Sequence, residues 1–517
     1  MAGHLASYGD RFSMVKAARS SLAKQSKYLY YPMDASEPSN KYNPGRATYN
    51  LSELPYRKEE EYWNTIMALS QAQNKARRAT IVTQTGISRM PLCVAGGAFL
   101  HPSYFPLDPF HLIYENCMTF IWDIWTQLST PDKQFHMSSE QAATFGQMVV
   151  DAMPTLPPSF CGPIRDPHLK RNSQYKIYEW MGLLHWYIIP FTIELGFNET
   201  VLSNFVNFVE GVEAAMTIAS RTAEEIAKIF DLFANFLDGF EAIYVGGDPK
   251  KTSRCRLCIF QLIHVAQHIH WNGSIRVGSQ ATCERAIGEV GHKIQSKKAP
   301  FAQMANLIHE REMVKILAIL FPALFEEIII KIQLQRPFSK SKILKREKKP
   351  GTEFMEHFKA LQNFLRTRAG ETDMHSWERW GKLNLGGKTK LSSRLSELKG
   401  DPPARSSRYF EAFIDGSTRF GEALAFYTRA LPDESQEEFV VYHPIIGLHT
   451  KHHRWQGRWS AAVKVACVPS ILAVVGIWAS PQSQNIHILR KHPGLDLLSQ
   501  AECGLVSDEV DTDLGTG

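Results

Sequence analysis

No stretch of this chain is apolar for long enough to cross a bilayer. The two most hydrophobic runs, around Met181 to Ile193 and Val463 to Trp478, are too short or too interrupted. No signal peptide is expected either, because the opening Met-Ala-Gly-His is not a basic segment followed by an apolar core. Cysteine is sparse and scattered, with eight residues at 93, 117, 161, 255, 258, 283, 467 and 503, so a disulfide-stapled secreted scaffold is excluded and a reducing compartment fits better. Charge of one sign does not dominate either. Lys and Arg number 58 against 52 Asp and Glu, a net +6, which is compatible with a polyanionic partner without demanding one. No membrane partner is expected.

What is present is an ordinary globular composition, 44% hydrophobic and 21% charged over 517 residues, enough for several structural units. The most informative stretch runs from Cys255 to Arg311. His264 and His268 stand four apart and share a helix face, Asn272-Gly273 signals a turn, and a second helix opens near Glu284, beside Arg285, ahead of the basic run Lys293 to Lys298. A first-turn carboxylate is favoured by the helix dipole. From spacing alone, Glu284 reads either as a solvated helix-start glutamate or as a metal-ligating acid. Cys255 and Cys258 with the two histidines are ligand types that zinc accepts, but four ligands along one helix cannot converge tetrahedrally.

Earlier in the chain, Asp10 follows Gly9 and precedes Lys16-Ala17, and reads as a turn aspartate or a catalytic one. Helix is expected over roughly Lys58 to Val82. Asp108-Pro109-Phe110-His111 opens an aromatic segment, Leu112 to Trp125, that should be a buried helix with Asp108 as its cap. From Phe135 to Val245 the pattern is helical, with a long amphipathic stretch from Val201 to Leu237 and a break at Pro157-Pro158 and Cys161-Gly162-Pro163. An apolar helix past Ile316 ends near Ile332, and Lys340 to Lys349 reads as a basic tether able to meet phosphates. The segment from Trp377 to Pro403 reads as polar and mobile. Strands are expected at Glu438 to Tyr442, Ala461 to Val468, Ile471 to Trp478 and Asn485 to Leu489.

Taken in order, Gly9-Asp10, Leu54-Pro55-Tyr56-Arg57, Asp108-x-x-His111, the paired histidines and Glu284-Arg285 with Lys297-Lys298 resemble blocks of the CACTA (En/Spm-type) transposases, in the form found in mushroom-forming fungi. The resemblance implies a fold that is mainly α with mixed α/β, a partial RNase H-like core interrupted by a long helical insertion, and a small C-terminal β-rich unit. It divides the chain into a core remnant (1–107), a helical insertion (108–254), a terminal catalytic block (255–335), a basic and polar linker (336–404), a β-rich domain (405–505) and a disordered tail (506–517). It implies Asp10 and Glu284 as catalytic, metal-holding acids for Mg²⁺ or Mn²⁺, with Asp108, His111, His264, His268 and Arg285 in support. DNA is the implied partner, with a possible homo-oligomer, and the nucleus the implied location. The family's first catalytic aspartate lies upstream of the Gly-Asp block, and this chain opens only nine residues before Asp10. The expectation is therefore an N-terminally truncated enzyme without activity as this chain, or a derived DNA- or protein-binding protein without catalysis.

Overall fold

A computed structural model describes residues 8–19, 28–30, 50–126, 134–170, 175–246, 248–291, 293–322, 342–346, 353–368, 377–386, 389–398, 403–431, 435–492 and 495. The expected helix end near Ile332 and the tail from 506 lie outside the described residues, as do 340–341 and 347–349 of the basic run. The architecture is mixed α/β, with helices and an antiparallel sheet in the C-terminal region. The chain divides into two compact units, each described by itself below.

The first unit comprises residues 1–146, 167–279 and 492–498 and is helical. Its centre is aromatic. Trp122, Trp125, Phe145, Phe191, Phe205, Phe208 and Phe236 are almost wholly buried, and each such side chain contributes about 1.5–3 kcal/mol of hydrophobic stabilisation. The expected helix from Leu112 is observed as a π-helical turn, Phe110–Met118, continuing into the α-helix Thr119–Thr126. The amphipathic stretch from Val201 forms two helices instead of one, Glu199–Met216 and Ala223–Phe240. The break is set by Thr222, whose hydroxyl accepts from the Glu225 N–H while the Glu225 carboxylate accepts from the Thr222 N–H, a reciprocal cap that starts a new helix. The two helices then pack closely at Gly211, where an added Cβ would stand 3.0 Å from the Phe233 ring. The region from Lys58 divides in the same way, into Glu59–Ser70 and Lys75–Thr85, because Asn74 accepts from the Arg77 N–H at 2.8 Å and caps the second helix. Extended pairing among the described residues of this unit is limited to β1 (Ala18–Arg19) against β2 (Tyr28–Leu29) and one bridge between Ser13 and Tyr56.

The second unit comprises residues 147–166, 280–491 and 499–517. Its sheet contains β3 (Lys342–Arg346), β4 (Trp377–Asn384), β5 (Lys390–Ser392), β6 (Tyr409–Ile414), β7 (Ser417–Ala430), β8 (Gln436–Lys451), β9 (Arg454–Trp459), β10 (Lys464–Cys467), β11 (Ile471–Val474), β12 (Gly476–Ala479) and β13 (Ile486–Leu489). The main path runs β11-β6-β7-β8-β9-β13-β12, with β10 on β8 and β3 and β5 on β4, which itself pairs with β7. The four expected strand regions are met by β8 and β10 to β13. Residues 377–403, read from composition as polar and mobile, differ: β4 lies in the sheet, and Lys342–Arg346 of the basic run forms a strand beside it. Register shifts at Ala423/Ala425 and Ile446/His449 bend the long strands β7 and β8. The helix Glu353–Arg368 covers one face, setting Leu361 and Leu365 against Leu424, Tyr427, Phe439 and Val441. The proline break at 157–163 is held by Arg405, which donates to the carbonyls of Leu156, Pro157 and Cys161 at 2.9, 2.8 and 2.5 Å.

Candidate functional site

A buried charged centre of the helical unit lies at Asp10. The segment that carries it is laid antiparallel to residues 55–57, through Met14 N–H to the Pro55 carbonyl at 2.8 Å and Arg57 N–H to the Phe12 carbonyl at 2.9 Å. Arg57 clamps the loop from the side. Its guanidinium donates to the Asp10 carbonyl at 3.0 and 3.2 Å, to the Thr85 carbonyl at 2.7 Å and to the Tyr8 carbonyl at 3.3 Å. The Tyr30 hydroxyl accepts from the backbone N–H groups of Gly9 and Asp10 at 2.8 and 3.0 Å. Gly86 passes so close to Tyr8 that a Cβ there would collide with its carbonyl oxygen, and its φ of 71° already favours glycine.

On this scaffold the Asp10 carboxylate is buried to 1% exposure. Its Oδ2 accepts from the Ser13 N–H at 2.8 Å and from the Ser13 hydroxyl, and meets His264 Nε2 at 3.0 Å across 254 positions of sequence. His264 Nδ1 faces the Tyr56 hydroxyl at 3.3 Å. Burial by itself would raise the Asp10 carboxyl, but the attraction of His264 and the hydrogen bonds from His264 and Ser13 prevail and bring it down to about 2. Burial, with the nearby Asp10 charge, pushes the hydroxyls of Tyr30 and Tyr56 well up, so both remain protonated.

His268 lies one turn on, as the shared helix face requires. The run carrying both histidines is Leu257–Phe260, a tightened turn Gln261–His264 and the helix Val265–Asn272, ended by Gly273 at φ 77°. The Phe12 ring stands edge-on to both imidazoles, 5.4 Å from His264 and 4.2 Å from His268. Burial, reinforced by the charges of His264 and Arg11, lowers His268 to about 3, so it is neutral at physiological pH. Neither of its ring nitrogens has a hydrogen-bond partner among the described residues, nor has Asp10 Oδ1.

Of the other expected site residues, Asp108 and His111 meet each other. Asp108 Oδ1 accepts from the Phe110 N–H at 3.1 Å, as a helix cap does, while Oδ2 contacts His111 Nδ1. Arg11 reaches toward this segment, lying over the Phe105 ring at 5.7 Å. Glu284 and Arg285 lie on the helix Ala281–Gly291 of the second unit, as expected for a helix opened near Glu284, but their side chains fall outside the described residues. The backbone carbonyl of Cys255 accepts from the Tyr30 N–H at 2.9 Å, and that of Cys258 accepts from the Cys117 thiol at 3.3 Å.

A hard divalent ion needs several oxygen ligands. Around Asp10 the described side chains are one carboxylate, two imidazoles and the phenols of Tyr30 and Tyr56, and no group of three His, Cys, Asp or Glu among the described residues is arranged to hold a metal. Asp10 Oδ1 is the one orphaned oxygen that could take an ion, and Oδ2 is already occupied. As described, this donor set does not fit a two-metal centre.

Ser13, Tyr30 and Arg57, which shape the centre, were not singled out as site residues from sequence. Tyr56 and Arg57 stand in the Leu54-Pro55-Tyr56-Arg57 block, which was the available signal. No family model matches the chain, and no curated protein or solved structure is significantly similar to it.

Proposed function

We propose that this is a transposase-derived protein that acts on DNA by binding it, and that Asp10 serves as the pin of a remnant RNase H-like core without cutting DNA. The supporting observation is that Asp10 and His264, both marked by the resemblance to CACTA transposases and 254 positions apart, stand 3.0 Å from each other in a closed pocket. The carboxylate is fully buried and one of its oxygens is held by a histidine and a serine. That arrangement holds a polar core together and leaves one oxygen of one acid for metal chemistry. The reading carries with it action in the nucleus and self-association as a homo-oligomer.

A second reading, metal-dependent strand cleavage and transfer with Asp10 and Glu284 as acids and Mg²⁺ or Mn²⁺ as cofactor, is favoured by the orphaned Asp10 Oδ1 alone. Such ions would activate water or a 3′-hydroxyl and stabilise in-line displacement at phosphorus. One experiment separates the two. The purified chain is incubated with supercoiled plasmid and Mg²⁺ or Mn²⁺, and retention and nicking are followed together. Binding that weakens with salt while the plasmid stays supercoiled is the expected result. Nicking by the wild type that is lost in both Asp10→Asn and Glu284→Ala would establish the catalytic reading instead.

A further inference from the structure

The tip of the hairpin formed by β8 and β9 is basic and carries an uncommon backbone conformation. Between Glu438 and Asp496 the sequence contains no acidic residue at all, while Lys451, Arg454, Arg458, Lys464, Arg490 and Lys491 are basic. Three of these six fall on the hairpin. Lys451 and Arg454 face each other across the ladder at its tip, and strand alternation puts Arg458 on the same face of β9 as Arg454. Lys451, His453 and Arg458 are exposed. Beyond Gln456 the pairing of β9 with β13 ends, and the tip continues as a two-stranded ribbon made of Thr450↔Trp455 and Lys451↔Arg454.

The turn itself is unusual. His452 and His453 both have left-handed backbone conformations, with φ of 49° and 59°. A two-residue hairpin turn of this kind is normally built from Asn-Gly or Asp-Gly, which adopt it without strain. This same sheet uses that solution between β6 and β7, where Asp415-Gly416 carries φ of 49° and 73°. At the basic hairpin two bulky imidazoles occupy the strained positions. Strain of this sort persists where the side chains themselves are needed.

We infer that the β8–β9 hairpin is a docking surface for the phosphate backbone of duplex DNA, with Lys451, Arg454 and Arg458 supplying charge and the exposed turn histidine His453 supplying an N–H donor at the tip. The inference rests on the DNA-binding reading above and gives it a place. A two-stranded ribbon is narrow enough to enter the major groove of B-form DNA, whereas the deep, narrow major groove of an RNA duplex does not admit it.

The test is fluorescence anisotropy of a labelled DNA duplex titrated with the full chain at several salt concentrations. Replacing Lys451, Arg454 and Arg458 together by Gln is expected to weaken binding by about tenfold or more and to flatten the slope of log affinity against log salt by about 3. The same removal of three charges at the exposed Lys58, Lys75 and Arg77 is the control, and is expected to change affinity by less than about threefold. Because the first variant could fold poorly, a second replaces His452-His453 by Asn-Gly. That variant is expected to melt above the wild type yet bind several-fold more weakly, so its loss cannot come from unfolding. An RNA duplex of the same sequence is expected to compete poorly. If the wild type binds DNA but both hairpin variants match its affinity and salt slope, or if the control loses as much as the hairpin variant, the hairpin is not the docking surface while the DNA-binding reading stands. If the wild type binds no DNA, both fall.

Discussion

Each unit buries a carboxylate beside a cation-forming side chain, and the two solutions are opposite. In the sheet unit, Glu397 accepts from Ser406 Oγ at 2.7 Å, Ser407 N–H at 2.8 Å and Arg408 Nη1 at 2.9 Å. Arg408 also donates to Glu422 at 2.6 Å and to the Tyr409 hydroxyl at 2.9 Å. Burial opposes the Arg408 charge, but Tyr409, Glu422 and Glu397 outweigh it and raise the guanidinium above its ordinary value. In the helical unit, Asp10 has one oxygen saturated and the other without a partner, and the adjacent His268 has both nitrogens unpartnered among the described residues. Fully satisfied networks fix a fold, and each buried polar atom left without a partner calls for an explanation. The contrast teaches that the Asp10 centre is the less completely satisfied of the two, even though the contacts it does make are those of a structural pin.

The contrast can be broken first on the satisfied side. Glu397→Ala leaves the Ser406 hydroxyl and the Ser407 N–H without their acceptor and removes one of the two carboxylates paired with Arg408, and is expected to cost about 3–4 kcal/mol in denaturant unfolding. Next, Asp10→Asn should cost about 1.5–3 kcal/mol near neutral pH, the value of hydrogen bonds to a charged group. The sign with pH is fixed by the lowered carboxyl. Asp10 stabilises the native state above its unfolded value of 3.8, and this contribution is lost as pH falls toward about 2. Thermal melts of Asp10→Asn and wild type should therefore converge over that window; a constant gap down to the acid end would contradict the pairing with His264.

A smaller effect comes from the loop clamp. Gly86→Ala forces a left-handed alanine against Tyr8, and should cost about 1–2 kcal/mol without touching the carboxylate. The smallest has the opposite sign. His268→Leu removes two unpartnered buried nitrogens, and should stabilise by about 1 kcal/mol at neutral pH. Because His268 is held neutral down to about 3 against an unfolded value of 6.5, the wild type loses stability as pH falls through that interval and the variant should not. A variant that melts lower than wild type at pH 5 would show that His268 has a partner it needs.

Much of the fold was legible, because local rules decide it. The cap at Asn74 and the Thr222-x-x-Glu225 box both stand in the sequence, but each stretch was expected undivided, and the structure splits both at these caps. The strand β4 was not legible. Its large apolar residues, Trp377, Trp380 and Leu383, recur every three positions instead of every two, so the alternation that announces a strand is absent, and only pairing with β3, β5 and β7 makes it one. At the site, Asp10 and His264 could be named only through the resemblance. Nothing in local spacing brings residues so far apart together, and the residues that hold the loop in place, Tyr30 and Arg57, act through backbone atoms that sequence patterns do not display.

The central claim is that the Asp10 centre is a closed pin and not a metal site, and ligand-induced stabilisation tests it most directly. A metal that binds the native state raises the melting temperature in proportion to the logarithm of its concentration. Melting of the wild type and Asp10→Asn should be recorded across a Mn²⁺ and Mg²⁺ series at constant ionic strength. The account predicts that neither ion moves the wild type more than it moves Asp10→Asn. A concentration-dependent rise in the wild type that disappears in Asp10→Asn would contradict it and restore Asp10 as a metal ligand.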